Sequence, residues 1–295
     1  LDWETCGILE GDYREVMVSE YLFAIEPETD TTRWTYGAGR IMNNAVTVLD
    51  SRVWCIESRN ATSLGNTDGR MRIDHFCQGE TFLLALDGQT GEIVFEQPVA
   101  LPFEHIMFLS AADDIVLCTG TYNEDAKVYY ELHAYSAKDA ALVWKTRYEA
   151  LDIRGTGPSP IDGTHGEQWQ HPVINGDTIY SRPFAFDLAT GQQRDYIAYR
   201  GGHGCGGWTG SVHYLYGRGH NPRMYPLAIT STEGICLTQT TRPGCWLNMI
   251  PACGLVLVPE SSSGCTCAYA IQTSLAFVPR AQSGLDRNAV LVASE

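Results

Sequence analysis

The chain has 295 residues, of which 10 are cysteine, 29 glycine, 15 tyrosine and 7 tryptophan, and charged residues make up only 19% of it. A formal charge of −15 at pH 7 argues against nucleic acid or anionic membrane as a partner, and no run approaches the ~18 apolar residues of a spanning helix. Low charge with abundant glycine and aromatic residues points to many short strands joined by turns rather than to long amphipathic helices.

In chain order, one strand–turn–strand unit recurs. Phe23-Ala24-Ile25-Glu26 is followed by Trp34, and Leu84-Ala85-Leu86-Asp87 by Thr90-Gly91 and Phe95. His133-Ala134-Tyr135-Ser136 is followed by Trp144, and Phe184-Ala185-Phe186-Asp187 by Thr190-Gly191. Tyr225-Pro226-Leu227-Ala228 reads as a degenerate fifth copy. Each copy reads as an apolar strand, a polar turn with Thr-Gly or its relics, and a second strand carrying an aromatic, the pattern of a hairpin. A second hairpin lies upstream of most copies. Ala45-Val46-Thr47-Val48 turns at Asp50-Ser51 into Val53-Trp54, and Pro172-Val173-Ile174 turns at Asn175-Gly176-Asp177 into Ile179-Tyr180. Ile115-Val116-Leu117 and Leu255-Val256-Leu257 read as second strands of the same unit. Four strands recurring at this interval make a propeller blade. The predicted fold is all-β: one β-propeller domain over 1–295, with about six to seven four-stranded blades. Approximate blades fall at 1–40, 41–100, 101–149, 150–200, 201–241 and 242–281, and the tail 282–295 offers one more strand at Ala289-Val290-Leu291-Val292. The sequence opens at Leu1 without a basic-then-apolar leader, so a processed mature chain, or part of a longer protein or assembly, is expected.

The segment Leu84–Phe95, with Ala85, Asp87, Thr90 and Gly91 in place, resembles the repeat of pyrroloquinoline-quinone-type (PQQ-like) β-propellers. Gln170-His171-Pro172, Gly204-Cys205-Gly206, Arg242-Pro243-Gly244-Cys245-Trp246 and Gly264-Cys265-Thr266-Cys267, followed by Gln272-Thr273-Ser274-Leu275, resemble a secreted bacterial subgroup of that family. The resemblance implies fold rather than cofactor. Quinoprotein dehydrogenases of the family carry a disulfide between adjacent cysteines beneath the quinone, and no two cysteines are adjacent here. PQQ is therefore not expected, and the same repeat serves other proteins as a binding surface.

No cysteine pair has the Cys-x-x-Cys spacing of zinc ribbons or redox motifs, and ten scattered cysteines fit disulfides formed in the periplasm or outside the cell. Cys55 and Cys77 flank a polar insertion, 59–76, and a disulfide closing it is expected. Cys265 and Cys267 fall on one face of a strand and are expected to reach separate partners, with Cys205 and Cys245 as candidates. A four-thiolate metal site is the alternative for these four. Cys118 reads as a core thiol, and Asn60-Ala61-Thr62 fits a glycosylation sequon by pattern.

In a propeller, the connection from the outer strand of one blade to the inner strand of the next emerges on one face, beside the central channel. His105, His171 and His203 each lie on such a connection and are predicted to ring one mouth. There they would serve a divalent metal, zinc or calcium, or a general base. His165 and Glu167, on the longest connection, would form a partial lid and join His171 and His203 as candidate catalytic groups. Asn44, His105 and Arg242 are candidate ligand contacts, and Trp169 and Trp208 are candidate platforms for sugar rings. His133, inside a repeat strand, reads as structural. Trp34, Phe95 and Trp144 read as packing between blades.

Two functions follow. The first is a secreted, disulfide-stabilised binding module that holds a saccharide or protein partner. The second is an enzyme with a His-rich channel site, metal-assisted or acting as a His/Tyr lyase on an anionic polysaccharide.

Overall fold

The computed structural model describes residues 15–125, 127–149, 171–197, 207–229, 234–244, 247, 249–260 and 273–279. Among these, six antiparallel sheets follow one another along the chain. Blade 1 is the hairpin of Leu22–Glu26 and Thr31–Tyr36. Blade 2 is Arg40–Leu49, Arg52–Ser58, Thr81–Asp87 and Ile93–Pro98, with Glu15–Ser19 and Arg70–Arg72 added beyond its first strand. Blade 3 is Met107–Ala112, Ile115–Glu124, Lys127–Ser136 and Leu142–Glu149. Blade 4 is Val173–Asn175, Thr178–Ser181, Phe184–Asp187 and Gln193–Ile197. Blade 5 is Thr209–Gly210, Tyr214–Gly219, Asn221–Pro226 and Ile235–Cys236. Blade 6 contributes Ile250–Ala252, Leu255–Val258 and Leu275–Phe277.

The first strands of blades 2 to 6 lie beside one another in series. Polar side chains tie them: Asn44 Nδ2 donates to Met107 O at 2.8 Å, Asn175 Nδ2 to Ser211 O at 2.9 Å, and Thr209 Oγ1 to Met249 O at 2.7 Å. Blades 2 to 6 are thus joined in series along their first strands. The fold is a β-propeller. The described helices, Ala61–Leu64 and Ile73–Phe76, are single turns inside the blade 2 insertion, and no described helix is long and apolar enough to cross a membrane.

The repeat motif has a mechanical meaning. Ala24, Ala85 and Ala134 pair with Trp34, Phe95 and Trp144, on the strand before the turn and the strand after it. At each turn one residue takes a positive φ: Asp30 at 52°, Gly91 at 74°, Ala140 at 59° and Gly191 at 70°. Their amides donate to Glu26, Asp87, Ser136 and Asp187 carbonyl oxygens at 2.8–2.9 Å, so the four turns are equivalent. Asp87 Oδ1 also accepts from the amides of Gln89 and Thr90, and Asp187 Oδ1 from that of Thr190, which fixes the turn by side chain. The aromatics then dock forward. Trp34 Nε1 donates to Gly88 O at 3.0 Å, and its ring leaves no room for a side chain at Gly91, where a Cβ would come within 2.7 Å. Trp144 Nε1 donates to Leu188 O at 3.1 Å and covers Gly191 in the same way. Phe95 packs in the core that includes Ala137 and Ala140 of blade 3. Each aromatic is a plug that one blade sets into the turn of the next.

Three sequence expectations need correction. The fifth copy, read as Tyr225-Pro226-Leu227-Ala228 with Pro226 at the alanine position, is out of register by two residues. Leu227 N donates to His213 O as Gly88 N does to Ser51 O, Ala137 N to Asp114 O and Leu188 N to Asp177 O. Counting back three from each of these donors gives Ala85, Ala134 and Ala185 in blades 2 to 4 and Met224 in blade 5. Cys55 and Cys77 are free thiols. Strand alternation is the reason: Cys55 points into the cluster of Ile41 and Leu84, while its neighbours Trp54 and Ile56 face the other core, against which Cys77 packs. Burial pushes both thiols up to about 12. Asn60 is a helix cap rather than an open acceptor. Its Oδ1 accepts from Ser63 N at 2.8 Å, and its Nδ2 donates to the carbonyl oxygens of His75, Phe76 and Gln78.

Candidate binding face

Antiparallel pairing places two kinds of segment at one end of every blade: the hairpin between its second and third strands, and the connection into its first strand. That end carries Glu104, His105 and Asn123 of blade 3, His171 and Arg182 of blade 4, and Arg218 and Asn221 of blade 5. Thr241 and Arg242, on the way to blade 6, lie there too.

His105 is 5% exposed and accepts from Asn123 Nδ2 at Nε2, 2.9 Å away, with Glu104 Oε2 at 3.4 Å from the same nitrogen. Glu104 Oε2 also accepts from Asn123 N at 3.2 Å. These three groups form a closed polar knot at the start of blade 3. His171 packs its ring against Phe108 of that blade, with centroids 4.7 Å apart, and its Nδ1 donates to Pro172 O at 2.9 Å. Desolvation lowers its pKa below the ordinary histidine value, the carbonyl contact opposing the shift, so the ring is neutral at pH 7.

Three arginines are deeply buried at this end: Arg182 at 6%, Arg218 at 2% and Arg242 at 4% exposed. Arg182 stands on the hairpin turn of blade 4, at the junction of three blades. Tyr148 of blade 3 bonds the same turn, its hydroxyl 2.7 Å from Ser181 Oγ and donating to Arg182 O at 3.4 Å. The Arg182 guanidinium lies over Trp208 of blade 5, 5.6 Å from the ring centroid. Burial lowers its pKa to about 10, offset in part by the oxygens of Tyr225, Tyr130 and Tyr148. It stays protonated at neutral pH. Asn221 Nδ2 donates to Thr241 O at 3.5 Å, which ties the blade 5 hairpin to the segment that carries Arg242.

The sequence-predicted residues sort as follows. His105, His171, Arg242 and Trp208 fall at this end of the blades. Asn44 is engaged with blade 3 through Met107. Trp208 is 7% exposed, clasped between Arg182 and Tyr225, and Gly217 closes on its ring, so it offers no free face for a sugar. His165, Glu167, Trp169, His203, Cys205, Cys245, Cys265 and Cys267 lie outside the described residues. Among those described, no three His, Cys, Asp or Glu side chains stand together as a metal site. His133 is structural, buried between Glu131 at 2.6 Å and Tyr135 at 3.4 Å. Sequence reasoning passed over Arg182 and Arg218, although an arginine in the tight turn Ser181-Arg182-Pro183 between two apolar strands was the available signal.

No protein-family model matches the chain, and no curated protein matches it. Similar solved structures include BamB from Moraxella catarrhalis, 16% identical over 83% of this chain and 75% of that one, with a TM-score of 0.40. Another is the quinohemoprotein alcohol dehydrogenase from Comamonas testosteroni, 13% identical over 83% of this chain and 50% of that one, with a TM-score of 0.44.

Proposed function

We propose that this chain is a binding module that holds a carboxylate-bearing ligand, an anionic saccharide or an acidic protein segment, on the arginine-bearing end of the propeller. One observation carries the reading. In a chain of net charge −15, Arg182, Arg218 and Arg242 are drawn to the same end of neighbouring blades and desolvated there. Each of the three is also held by contacts within the protein, and their charge in a low-dielectric setting attracts an anion to this end, for which arginine is the best-suited side chain. His105 and the neutral His171 add a donor and an acceptor at the rim. We place the protein in the periplasm or outside the cell on its cysteine content. Cys205, Cys245, Cys265 and Cys267 are the remaining candidates for disulfides there.

The test is equilibrium binding of oligogalacturonate and of oligoglutamate to the wild type and to Arg218→Gln and Arg242→Gln, with folding checked by thermal melts. Binding of one probe that weakens about tenfold in each folded variant supports the reading. Binding of neither probe overturns it. Cleavage of the saccharide that disappears in His171→Ala replaces it with the enzyme.

A further inference from the structure

Blade 4 breaks the plug rule. Four residues beyond the equivalent turn positions Asp30, Gly91 and Ala140 stand Trp34, Phe95 and Trp144, and four beyond Gly191 stands Asp195. In the strand ladder, the partner of Ala185 is Arg194 rather than an aromatic, and the aromatic of this strand, Tyr196, sits farther along it, packed with Tyr225 and Leu215 of blade 5. Arg194 does not reach forward to blade 5. Its guanidinium turns back onto its own blade, 2.6 Å from Asp187 Oδ2, 2.9 Å from Asp177 Oδ2 and 2.6 Å from Thr178 Oγ1. The next blade lacks the compact turn as well, presenting Leu227, Ala228 and Ile229 instead.

The missing plug leaves a groove. A cavity of about 320 Å³ lies between blades 4 and 5, walled by Tyr180, Arg194, Asp195, Tyr196, Leu227 and Ile229. A second of about 480 Å³ adjoins it through Leu227 and Ala228 and runs to His213 and Tyr214. The first volume is at the lower end of the range for small-ligand sites. It opens at the end of the propeller opposite the buried arginines, because it is built on the other set of turns. Ile229 is 61% exposed on its lip, and Tyr180 and Tyr196, edge to face at 5.2 Å, form its floor. Tyr196 is 8% exposed, and its buried hydroxyl has no hydrogen-bond partner among the described residues. A phenol so placed is costly unless something completes its surroundings.

We propose that this groove binds a small ligand consisting of an aromatic ring with a protonated amine, the ring taking the place of the absent plug. The ring requirement follows from the three intact junctions, where a Trp or Phe fills the same position. The charge requirement follows from the rim. Asp177 and Asp187 already neutralise Arg194, and the exposed Asp195 adds another carboxylate, so the rim carries excess negative charge.

The experiment is calorimetric titration of the full chain with tryptamine, indole and indole-3-propionate, which share a ring and differ in charge. Tryptamine is expected to bind with a Kd of about 1 mM, indole about threefold to fivefold more weakly, and indole-3-propionate more weakly still. Asp195→Trp puts an aromatic into the groove at the same offset from the turn as Trp34, Phe95 and Trp144. It is expected to abolish binding and to raise the melting temperature. Ile229→Ala, a change at an exposed position, is expected to weaken all three ligands about threefold with the melting temperature unchanged. Asp195→Asn is expected to erase the preference for tryptamine over indole. Absence of saturation by tryptamine at about 10 mM overturns the proposal, as does unchanged affinity in a folded Asp195→Trp or Ile229→Ala.

Discussion

Gly191→Ala and Gly176→Ala separate the cost of a left-handed backbone from the cost of losing a plug. Both glycines have positive φ, 70° and 56°, and alanine in that region costs ~1 kcal/mol. Their surroundings differ. A Cβ on Gly176 meets nothing within 4 Å, whereas one on Gly191 comes 2.4 Å from Trp144 Cε3 and 2.8 Å from Thr146 Oγ1. The indole cannot retreat freely, because Nε1 is bonded to Leu188 O and the ring is set between two blades. Overpacking of this kind adds ~1–3 kcal/mol. Gly176→Ala is therefore expected to cost about 1 kcal/mol and Gly191→Ala about 2–4 kcal/mol. In a Trp144→Ala background the Gly191→Ala cost should fall back to about 1 kcal/mol, the signature of a contact pair in a double-mutant cycle. Urea denaturation of the four variants and the wild type at one pH provides the numbers. Equal costs for the two glycine substitutions, or a Gly191→Ala cost that persists without Trp144, would refute the plug as the element that couples blades 3 and 4.

Two further predictions concern the free thiols and the Asp187 carboxyl. Cys55, Cys77, Cys118, Cys236 and Cys253 should all alkylate in urea without reductant, with the exposed Cys253 reacting first in the native protein and the fully buried Cys55 and Cys118 last; a linked Cys55–Cys77 peptide in the mass spectrum would contradict the structure. The hydrogen bond from Arg194 holds the Asp187 carboxyl down to about 2 against an ordinary 3.8. A depressed carboxyl contributes stability that is complete above its unfolded pKa and lost as the pH falls through its folded one, so Asp187→Asn should flatten the fall in urea midpoint between pH 4 and pH 2. Parallel curves for variant and wild type would show that the pair does not stabilise the fold.

Much of this architecture was legible because the signals were local and periodic. The Ala-apolar-Asp strand, the Thr-Gly turn and the aromatic beyond it stand at fixed offsets in the sequence, and each does the same work in every blade that has it. The fifth copy was placed two residues late because Tyr225-Pro226-Leu227-Ala228 has no alanine or aspartate at the repeat positions to fix its register, whereas the hydrogen bonds of the strand assign the alanine position to Met224. The Cys55–Cys77 bridge was judged on the loop it would close. Alternation of Trp54, Cys55 and Ile56 across a strand already set Cys55 apart from its supposed partner. Trp208 was read by residue type as a sugar platform, and only three-dimensional packing shows both of its faces taken. The groove between blades 4 and 5 was visible in principle as an Asp where the repeat has an aromatic. Its consequence depends on which way Arg194 turns, and that is decided by Asp177 and Asp187 in space.

Amide hydrogen–deuterium exchange with and without a saturating carboxylate ligand tests the proposed binding face directly. Bound ligand is expected to slow exchange at 181–184, 218–221 and 241–244, the hairpins and connection that carry Arg182, Arg218 and Arg242, and to leave 227–229 at the opposite end unchanged. Protection confined to 227–229 or to the outer strands, with those three segments exchanging as in the free protein, would contradict the assignment.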